Sequence, residues 1–354
     1  MKFKRLSSVM GVAVPPTEVT LKDIARAVGK SVATVSKALR GHADISPETR
    51  AFIAQTAAEM GYTPNITARR LQKKRTDAIG LILPVQSARQ ADPFFTELLT
   101  GIANEAARHN FDLLVSARTP GSDEREAYRR LAAERRVDGL IIAQPRRNDW
   151  RIEFLTAQHL PFVIAAHHPV PPHPAVWVNA ETGILQAVVH LVEENRRRIA
   201  FIAPPADLLF HQTAVRAFGN AIAAQPELSG GIVSDLTEMS QKEGYRAAQH
   251  LLAESPPDAI VACHDLVALG AMKAAQDQGF EIGDDIAVVG FGDILLAEYS
   301  QPPLTTVHRP TDTLGQHACR LLLAAIGAIE DSPPPVEIEP WLVVRQSSNL
   351  EFWV

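Results

Sequence analysis

The chain has 354 residues, of which 46% are hydrophobic and 21% charged, and its formal net charge is −5. This length is enough for two or three domains with a large core. Its two cysteines, Cys263 and Cys319, cannot build a disulfide scaffold and fit a reducing cytoplasm. No stretch reaches the roughly 18 apolar residues of a membrane span. We therefore expect neither a disulfide-rich secreted protein nor a membrane-spanning one.

Charge is divided unevenly along the chain. Residues 1–76 contain 14 Lys and Arg against 5 Asp and Glu, about +9, whereas the remainder contains 21 against 35, about −14. A basic first part on an acidic body is expected when only the first part meets phosphates. The charge pattern therefore favours a phosphate-bearing partner for the first part, such as double-stranded DNA.

The first 18 residues carry a weak targeting signal. Lys2, Lys4 and Arg5 precede the apolar run VMGVAV, which faintly resembles a signal peptide. The run is too short, and no clear small-residue cleavage site precedes Pro15. We interpret residues 1–18 as a disordered extension, or as the product of a start codon placed too far upstream.

Two short helical patterns follow, separated by Gly29. Thr20 and Asp23 have the spacing of a capping box, and Ser31 can cap the second helix after the tight turn that Gly29 permits. The apolar faces of the two helices consist of Leu21, Ile24, Ala25 and Val28, and of Val32, Val35, Ala38 and Leu39. Two helices of about eight residues around such a turn indicate a helix-turn-helix, whose second helix lies in the major groove.

A third helix is predicted after Ser46, which can cap it. Pro47 occupies the first helical position, where the missing N–H costs nothing. Gly61 lies where a C′ glycine belongs, so the helix should end just before it. Together the three helices predict a DNA-binding domain.

After residue 76, short apolar runs alternate with amphipathic segments. The runs are AIGLILP, FDLLVSA, VDGLIIA, PFVIAA, RIAFIAP, DAIVACH and IAVVGFG, and helical spacing occurs at 95–109, 123–135, 181–195, 241–253 and 265–278. Apolar runs without alternation are typical of strands buried on both faces of a parallel sheet. The repeated order predicts a doubly wound α/β body with two sheets, whose ligand binds beyond the carboxyl ends of the strands.

Residues 20–71 resemble, over their whole length, the DNA-binding head of the lactose-repressor (LacI/GalR) family. TLKDIARAVG, SVATVSKAL, ISPETR and GYTPNITARRL occur in that family's order and spacing. Further landmarks are DPFF, DGLIIAQP, AVRAFG, HDLVALGAM, VVGFGD and PPLTTVHRP, so the resemblance covers nearly everything from Thr20 to Ser348. It implies a multi-domain protein with an all-α helix-turn-helix head and an α/β periplasmic-binding-protein-like body of two doubly wound parallel-sheet subdomains.

The resemblance also sets the expected domain boundaries. They are a disordered extension at 1–18, a helix-turn-helix domain at 19–63, a hinge helix and linker at 64–76, and an effector-binding and dimerisation domain at 77–354. Within the last, we expect an N-subdomain at about 77–178 and 309–332 and a C-subdomain at about 179–308 and 333–354.

In the recognition helix, Val32, Ala33 and Lys37 match the family positions that face base edges. The hydroxyl residues assigned to backbone phosphate or helix capping are Thr20, Ser31, Thr34 and Ser36. Lys37 replaces an arginine that is often found there, and a lysine reads guanine as a point charge, without the rigid guanidinium fork. A solvated Lys37 without a base contact is the alternative.

Residues 65–72, NITARRLQ, match the family's hinge helix. A free helix needs roughly 12–15 residues, and the resemblance implies that this segment orders only on operator DNA, where two copies pack in a widened minor groove. Leu71 would insert between the central base pairs, or serve as an ordinary apolar tether. Asn65 and Ala68 would line the groove and the contact between helices, and Arg69 or its neighbour would meet phosphate.

An effector pocket for a sugar needs an aromatic plate and polar side chains in bidentate reach. Phe94 and Phe95 with Asp92 supply such a set on the N-side. Arg216 and Asp265 match family positions that grip adjacent hydroxyls from the C-side. In addition, Arg309 lies at the crossover between subdomains, where a polar contact is expected.

Three alternatives remain open in this set: Phe95 as core packing, Arg309 as a structural ion pair and Asp265 as a helix cap. The chain departs from frequent family residues at Met239, His264 and Gly292. These departures indicate a pocket of its own shape, so the resemblance does not identify the effector.

Neither a cofactor nor a metal nor an enzyme activity is predicted. Cys263, His264 and Asp265 are consecutive, and adjacent side chains at one strand end point apart and cannot relay a proton. Metal binding stays an alternative only at the Pro-rich loop that holds His167, His168 and His173. No G-x-G-x-x-G follows the first strand, and there is no Walker loop.

The resemblance implies a cytoplasmic homodimer, or a tetramer, that binds a pseudo-palindromic operator. We expect a repressor of sugar-utilisation genes, released when a sugar or sugar derivative changes the angle between the subdomains and the hinge helices melt. The alternatives are a family member that responds to a nucleobase or phosphorylated co-effector, a sugar-binding transport protein, and an α/β enzyme. The basic head argues against the transport protein.

Overall fold

The structure is a computed structural model that describes residues 19–39, 41–62, 75–85, 92–167, 170–330 and 333–349. The chain divides into two compact units, Met1–Lys74 and Arg75–Val354, here named the head and the body. The proposed extension and the hinge residues Asn65, Ala68, Arg69 and Leu71 lie outside the described residues.

The head consists of α1 (Leu21–Val28), α2 (Val32–Leu39) and α3 (Pro47–Glu59). Its core is formed by Ile24, Ala25, Val28, Val35, Ala38, Ile53 and Ala57. Gly29 and Gly61 have φ of +62° and +70°, and Ser46 Oγ accepts a hydrogen bond from Thr49 N at 3.3 Å. The predicted turn, cap and helix end are therefore confirmed.

Val32 differs from the predicted inner face of α2. Its side chain is 40% exposed, whereas Val35 is fully buried. Val32 is the first residue of the helix. It lies one turn before Val35 and is not part of the three-helix core. It is thus available to a partner outside the head.

The body contains two sheets with helices around them. The first part of the body comprises β1 (Ala78–Pro84), α4 (Pro93–Arg108), β2 (Asp112–Arg118), α5 (Ser122–Ala133), β3 (Gly139–Ala143), α6 (Trp150–Ala157), β4 (Phe162–Ala166) and β5 (Ala175–Val178). The second part comprises α7 (Ala180–Glu193), β6 (Arg198–Ile202), α8 (His211–Ala223), β7 (Ser229–Val233), α9 (Gln241–Glu254), β8 (Ala259–Ala262), α10 (Asp265–Asp277), β9 (Ala287–Gly292), α11 (Leu295–Glu298) and β10 (Thr305–His308). The chain then forms α12 (Thr311–Ala325), β11 (Val336–Ile338) and β12 (Trp341–Val343).

Within the described residues, each sheet has six strands. The first has the order β11-β5-β4-β3-β1-β2 with parallel pairs throughout. The second has the order β12-β10-β9-β8-β6-β7, and β12 runs antiparallel to β10. Apolar residues of α4 and α12 cover one face of the first sheet, and those of α5 and α6 cover the other. This confirms the doubly wound α/β class.

The structure differs from the expected subdomain division at one point. Val336–Ile338, expected in the C-subdomain, forms β11 and pairs with β5 in the first sheet. Trp341–Val343 pairs with β10 in the second sheet, so the final crossover falls between the two short strands. Among the described residues, no helix combines the length and apolar character needed to cross a membrane.

Candidate DNA-binding and effector sites

The exposed face of α2 carries the side chains predicted to read bases. Val32, Ala33 and Lys37 are all exposed, while Val35 and Ala38 hold the helix to the core. The expected base-reading residues thus lie on the outer face of a helix fixed from behind, which is the arrangement that a major-groove reader requires.

The hydroxyl residues at the helix starts are occupied by capping. Thr20 Oγ1 and N both donate to Asp23 Oδ2, at 2.6 and 3.0 Å, and these bonds lower the pKa of Asp23. Ser31 Oγ accepts from Thr34 N at 3.0 Å and lies 2.8 Å from Thr34 Oγ1. Ser36 is half-buried, and its contact with phosphate stays a prediction.

Lys37 has a partner that the sequence did not indicate. Its Nζ lies 2.6 Å from Asp44 Oδ2, and both side chains are about half exposed. The hydrogen bond from Lys37 lowers the pKa of Asp44. Exposed ion pairs of this kind contribute little to stability, so DNA phosphates or guanine can replace Asp44 as the partner of Lys37 at little cost.

A cavity of about 500 Å³ lies between the two sheets of the body. The part of the body that holds the first sheet, the N-subdomain, lines it with Pro84, Asp92, Pro93, Phe95, Pro120, Gln144 and Arg146. The part that holds the second sheet, the C-subdomain, lines it with Pro205, Asp207, Leu208, Leu266, Leu296 and residues 237–242. These residues follow the carboxyl ends of strands, as predicted for a ligand site of this fold.

Asp92 links the two subdomains at the cavity wall. It caps α4 by accepting from Phe94 N at 3.0 Å, and Gln144 Nε2 donates to its Oδ2 at 3.2 Å. Its Oδ1 lies 3.2 Å from His264 Nε2 of the C-subdomain. Since His264 Nδ1 accepts from Leu266 N at 3.2 Å, the ring proton is on Nε2, beside Asp92. The histidine therefore both caps α10 and contacts Asp92 of the N-subdomain.

The surroundings of Asp92 predict a pH-dependent contribution to stability. Burial acts to raise the pKa of Asp92, but the neighbouring His264, Arg309 and the Phe94 amide outweigh it and lower the pKa to about 2. A depressed pKa stabilises the fold above the ordinary carboxyl value of about 3.9, and the stabilisation is lost as the pH falls toward about 2. We expect Asp92→Asn to lower the free energy of unfolding at pH 7 by about 2 kcal/mol.

Urea unfolding of wild type and Asp92→Asn from pH 7 to 3 measures this difference, which should shrink below about pH 4. The exposed Glu227→Gln serves as the control and should match wild type throughout. A constant difference across the range would show that the charge of Asp92 does not contribute.

Phe94 and Asp265 are placed away from the cavity. Phe94 is 2% exposed and packs in the core of the N-subdomain, while its neighbour Phe95 lines the cavity. Asp265 is fully buried; its Oδ2 accepts from Ile294 N at 2.8 Å and its Oδ1 from Thr306 Oγ1 at 2.5 Å. Burial raises the pKa of Asp265. Through these two bonds Asp265 joins α10 to the segment after β9 and to β10. The residue that caps α10 is His264, not Asp265.

Arg216 and Arg309 also differ from their expected places. Arg216 lies on the outer side of α8, 65% exposed, with Nη2 2.8 Å from Glu181 Oε1. Arg309 is 4% exposed, donates from Nε to Thr311 Oγ1 at 3.2 Å and stacks over the Phe94 ring at 4.4 Å. Arg309 thus braces the crossover, and of the six predicted effector residues only Asp92 and Phe95 line the cavity.

The loop after β3 supplies cavity residues that sequence reasoning missed. Gln144 and Arg146 line the cavity, and Arg146 donates from Nη1 and Nη2 to the two carboxylate oxygens of Glu124 at 2.7 and 3.1 Å. Asp149 and Arg151 anchor the loop from below by an ion pair at 2.6 Å. The available signal was the polar run QPRRND directly after a buried strand.

The same loop joins the C-subdomain through its backbone. Arg147 N donates to Asp207 O at 2.8 Å, and Leu209 N donates to Pro145 O at 2.9 Å. Beside this bridge the His167 ring packs on Phe210 with centroids 4.2 Å apart. The two subdomains are therefore connected along one side of the cavity. Among the described residues, no group of three or more potential metal ligands is present.

Comparisons with known proteins identify matches to both the head and the body. Residues 20–65 match the model of bacterial regulatory proteins of the lacI family, and residues 188–348 match a periplasmic binding protein-like domain. The HTH-type transcriptional regulator AglR of Rhizobium meliloti (strain 1021) is 34% identical over 340 residues, which cover 94% of each chain.

Two solved structures extend the likeness to the whole fold. The lac repressor dimer bound to operator and the anti-inducer ONPF has a TM-score of 0.78 at 26% identity, covering 94% of this chain and 100% of that chain. A complex of the transcriptional regulator CelR with cellobiose has a TM-score of 0.70 at 27% identity with the same coverage.

A helix-turn-helix head joined to a two-sheet ligand-binding body defines a DNA-binding transcriptional regulator rather than an enzyme or a transport protein. The chain belongs to the LacI family of bacterial regulatory proteins. The resemblance stated from its sequence motifs is therefore confirmed.

Proposed function

We propose that the protein is a cytoplasmic homodimeric repressor, released from its operator by an uncharged sugar of mono- or disaccharide size. The composition of the cavity wall carries this proposal. Arg309 offsets the charge of Asp92, and Glu124 pairs with Arg146, so these charged groups are compensated within the protein. An uncharged effector then needs no counter-charge. Phe95, Leu266 and the prolines supply apolar surface for the C–H face of a sugar ring.

The polar part of the cavity suits hydroxyl groups. The N-termini of α4, α9 and α10, near Pro93, Gln241 and Leu266, all lie at the cavity wall. Helix N-termini present backbone N–H donors and a partial positive charge. The cavity wall holds two cations, Arg146 and Lys242, against three carboxylates, Asp92, Asp207 and Glu238. Arg146 is in addition paired with Glu124, so a phosphorylated co-effector is disfavoured and the sugar is favoured. The CelR relative of known structure was solved with cellobiose.

On the DNA side, we propose that two heads read the halves of a pseudo-palindromic operator with the exposed face of α2. The expected roles of Asn65, Ala68, Arg69 and Leu71 in a minor-groove hinge remain part of this proposal. Effector binding would change the angle between the subdomains and separate the paired hinges. The phosphate contacts that remain would give only weak, salt-sensitive binding.

The test uses the full chain to select sites from random duplex DNA and then measures affinity by fluorescence anisotropy at physiological salt. We expect a palindromic site bound about 10³-fold or more tighter than random DNA. Glucose, maltose, cellobiose or sucrose should weaken that binding at least about tenfold. Equal binding of selected and random DNA would contradict the operator function. Tighter binding with a sugar would instead indicate co-repression.

Lys37 gives a sharper prediction for the reading head. Lys37→Ala should weaken binding to the selected site by about 10- to 100-fold and lower the salt slope by about 1. Asp44→Asn, which frees Lys37 from its ion pair, should bind DNA at least as tightly as wild type. Anisotropy titrations at several salt concentrations measure both effects. Unchanged affinity in Lys37→Ala would mean that Lys37 is solvated and contacts no base.

A further inference from the structure

We propose that Arg146 is the residue that recognises a vicinal pair of hydroxyl oxygens on the effector, and that Glu124 holds its guanidinium in place for this purpose. The inference rests on the proposed sugar effector and assigns its specificity to a side chain of the N-subdomain. The family resemblance assigns this contact instead to Arg216, on the C-side.

Arg146 lies at the wall of the cavity. Over the ranges that the structure describes, Arg146 is the one arginine that lines the cavity. Its side chain is 20% exposed, whereas the side chain of Arg216 is 65% exposed and paired with Glu181. A partly exposed guanidinium at a cavity wall can contact a ligand while most of its length stays fixed by the protein.

The guanidinium of Arg146 is oriented by its pairing with Glu124. Both terminal nitrogens of Arg146 donate to Glu124, and Glu124 is fully buried. A guanidinium has five N–H groups in a planar fork, so this end-on pairing leaves the edge with Nε–H and one terminal N–H. No described residue accepts a hydrogen bond from Arg146 Nε. That edge matches two acceptor oxygens on neighbouring atoms, which is the spacing of a vicinal diol.

The loop that carries Arg146 is held firmly. Asp149 Oδ2 accepts from Arg146 N at 2.9 Å, and the adjacent Arg147 bonds to Asp207 O across the cavity edge. Gln144 and Asn148, on either side, have φ of +47° and +50°. Non-glycine residues adopt this left-handed backbone only where surrounding contacts impose it. The donor edge is thus fixed before the ligand arrives, which reduces the entropy lost on binding.

The charge of the pair sets the class of ligand. Glu124 compensates Arg146, so the free edge offers directed hydrogen bonds without a net positive charge. Uncharged hydroxyl pairs satisfy these donors, whereas a second carboxylate or a phosphate would lie close to the Glu124 carboxylate. Lysine cannot replace this function, because an ammonium group lacks the fork.

The test compares Arg146→Lys with the neighbouring Arg147→Lys, whose side chain is exposed and does not line the cavity. The full chain is titrated by calorimetry with glucose, maltose, cellobiose and sucrose as probes. Arg146→Lys keeps a cation beside Glu124, so the fold is retained, and circular dichroism checks this. We expect the Kd for the sugar that wild type binds to rise about 10- to 100-fold in Arg146→Lys and to stay unchanged in Arg147→Lys.

The Kd values of the two lysine variants decide whether Arg146 recognises the sugar. Equal Kd values for Arg146→Lys and wild type, or an equal loss in both lysine variants, would overturn the role of Arg146 while leaving the sugar effector intact. If wild type binds none of the four sugars, the proposed effector class fails, and this inference fails with it. Selective loss in Arg146→Lys supports recognition by the fork.

Discussion

Replacing Arg151 by methionine is expected to lower the free energy of unfolding of the body by about 3–5 kcal/mol. The side chain of Arg151 is 1% exposed and serves as the centre of a buried network. It donates from Nε and Nη2 to Asp149 at 2.8 and 2.6 Å and reaches the carbonyl oxygens of Ala143 and Gln144 at 3.3 and 3.0 Å. Its Nη1 lies 3.8 Å from Glu124 Oε1.

The large effect follows from what the substitution leaves behind. Methionine fills much of the volume, but the buried Asp149 would lose its cation. Glu124, also buried, would lose the more distant of its two cations and keep Arg146. An uncompensated buried carboxylate is far more costly than the loss of a hydrogen bond between exposed groups. Two carbonyl oxygens at the end of β3 would also lose their donor, so the loop that presents Arg146 should loosen.

Arg130→Met on the exposed side of α5 is the matched control. Arg130 and Glu134 lie 3.6 Å apart and are each about half exposed, so their pairing contributes at most about 1 kcal/mol. Urea unfolding followed by circular dichroism should separate the two variants clearly. Coincident midpoints for Arg151→Met and Arg130→Met would mean that the network does not stabilise the body.

Much of the fold was predictable because apolar patterning is local. β1, β3, β4, β8 and β9 are buried strands, and uninterrupted apolar runs predicted them. β7, by contrast, is an exposed edge strand with the sequence SGGIV, and such a segment shows neither alternation nor an apolar run. Its strand state comes from pairing with β6, which is a tertiary effect.

The site was less predictable for a related reason. Asp92 and Phe95 follow a strand and begin a helix, so their position is fixed by neighbours in the chain. The Arg146–Glu124 pair joins residues on different elements, and no local pattern reveals it. Asp265 has the residue type of a sugar ligand, but its burial beneath Ile294 and Thr306 depends on the packing of three segments. Residue type and spacing therefore located the cavity but not all of its wall.

Adding one methyl group at Gly101 is expected to destabilise the N-subdomain by about 3 kcal/mol or more, since overpacking a tight contact typically costs about 1–3 kcal/mol and here the obstacle is backbone. Gly101 lies in α4 where α12 crosses it, and a Cβ there would be 1.9 Å from Asp312 O. Gly315 of α12 makes the reciprocal approach, its Cβ position lying 2.5 Å from Leu98 O. A carbonyl oxygen within a helix cannot turn aside as a side chain can.

Gly219→Ala in α8 separates steric overlap from helix propensity. Nothing lies within 4 Å of a Cβ at Gly219, so alanine should stabilise that helix by up to about 1 kcal/mol. The same chemical change is therefore expected to have opposite signs at the two positions. Because α4 begins beside Asp92 and α12 follows Arg309, forcing these helices apart should also weaken sugar binding. Thermal unfolding of both variants, with and without the sugar that wild type binds, measures the change in stability and the loss of sugar binding. A stabilised Gly101→Ala would refute the close crossing of α4 and α12.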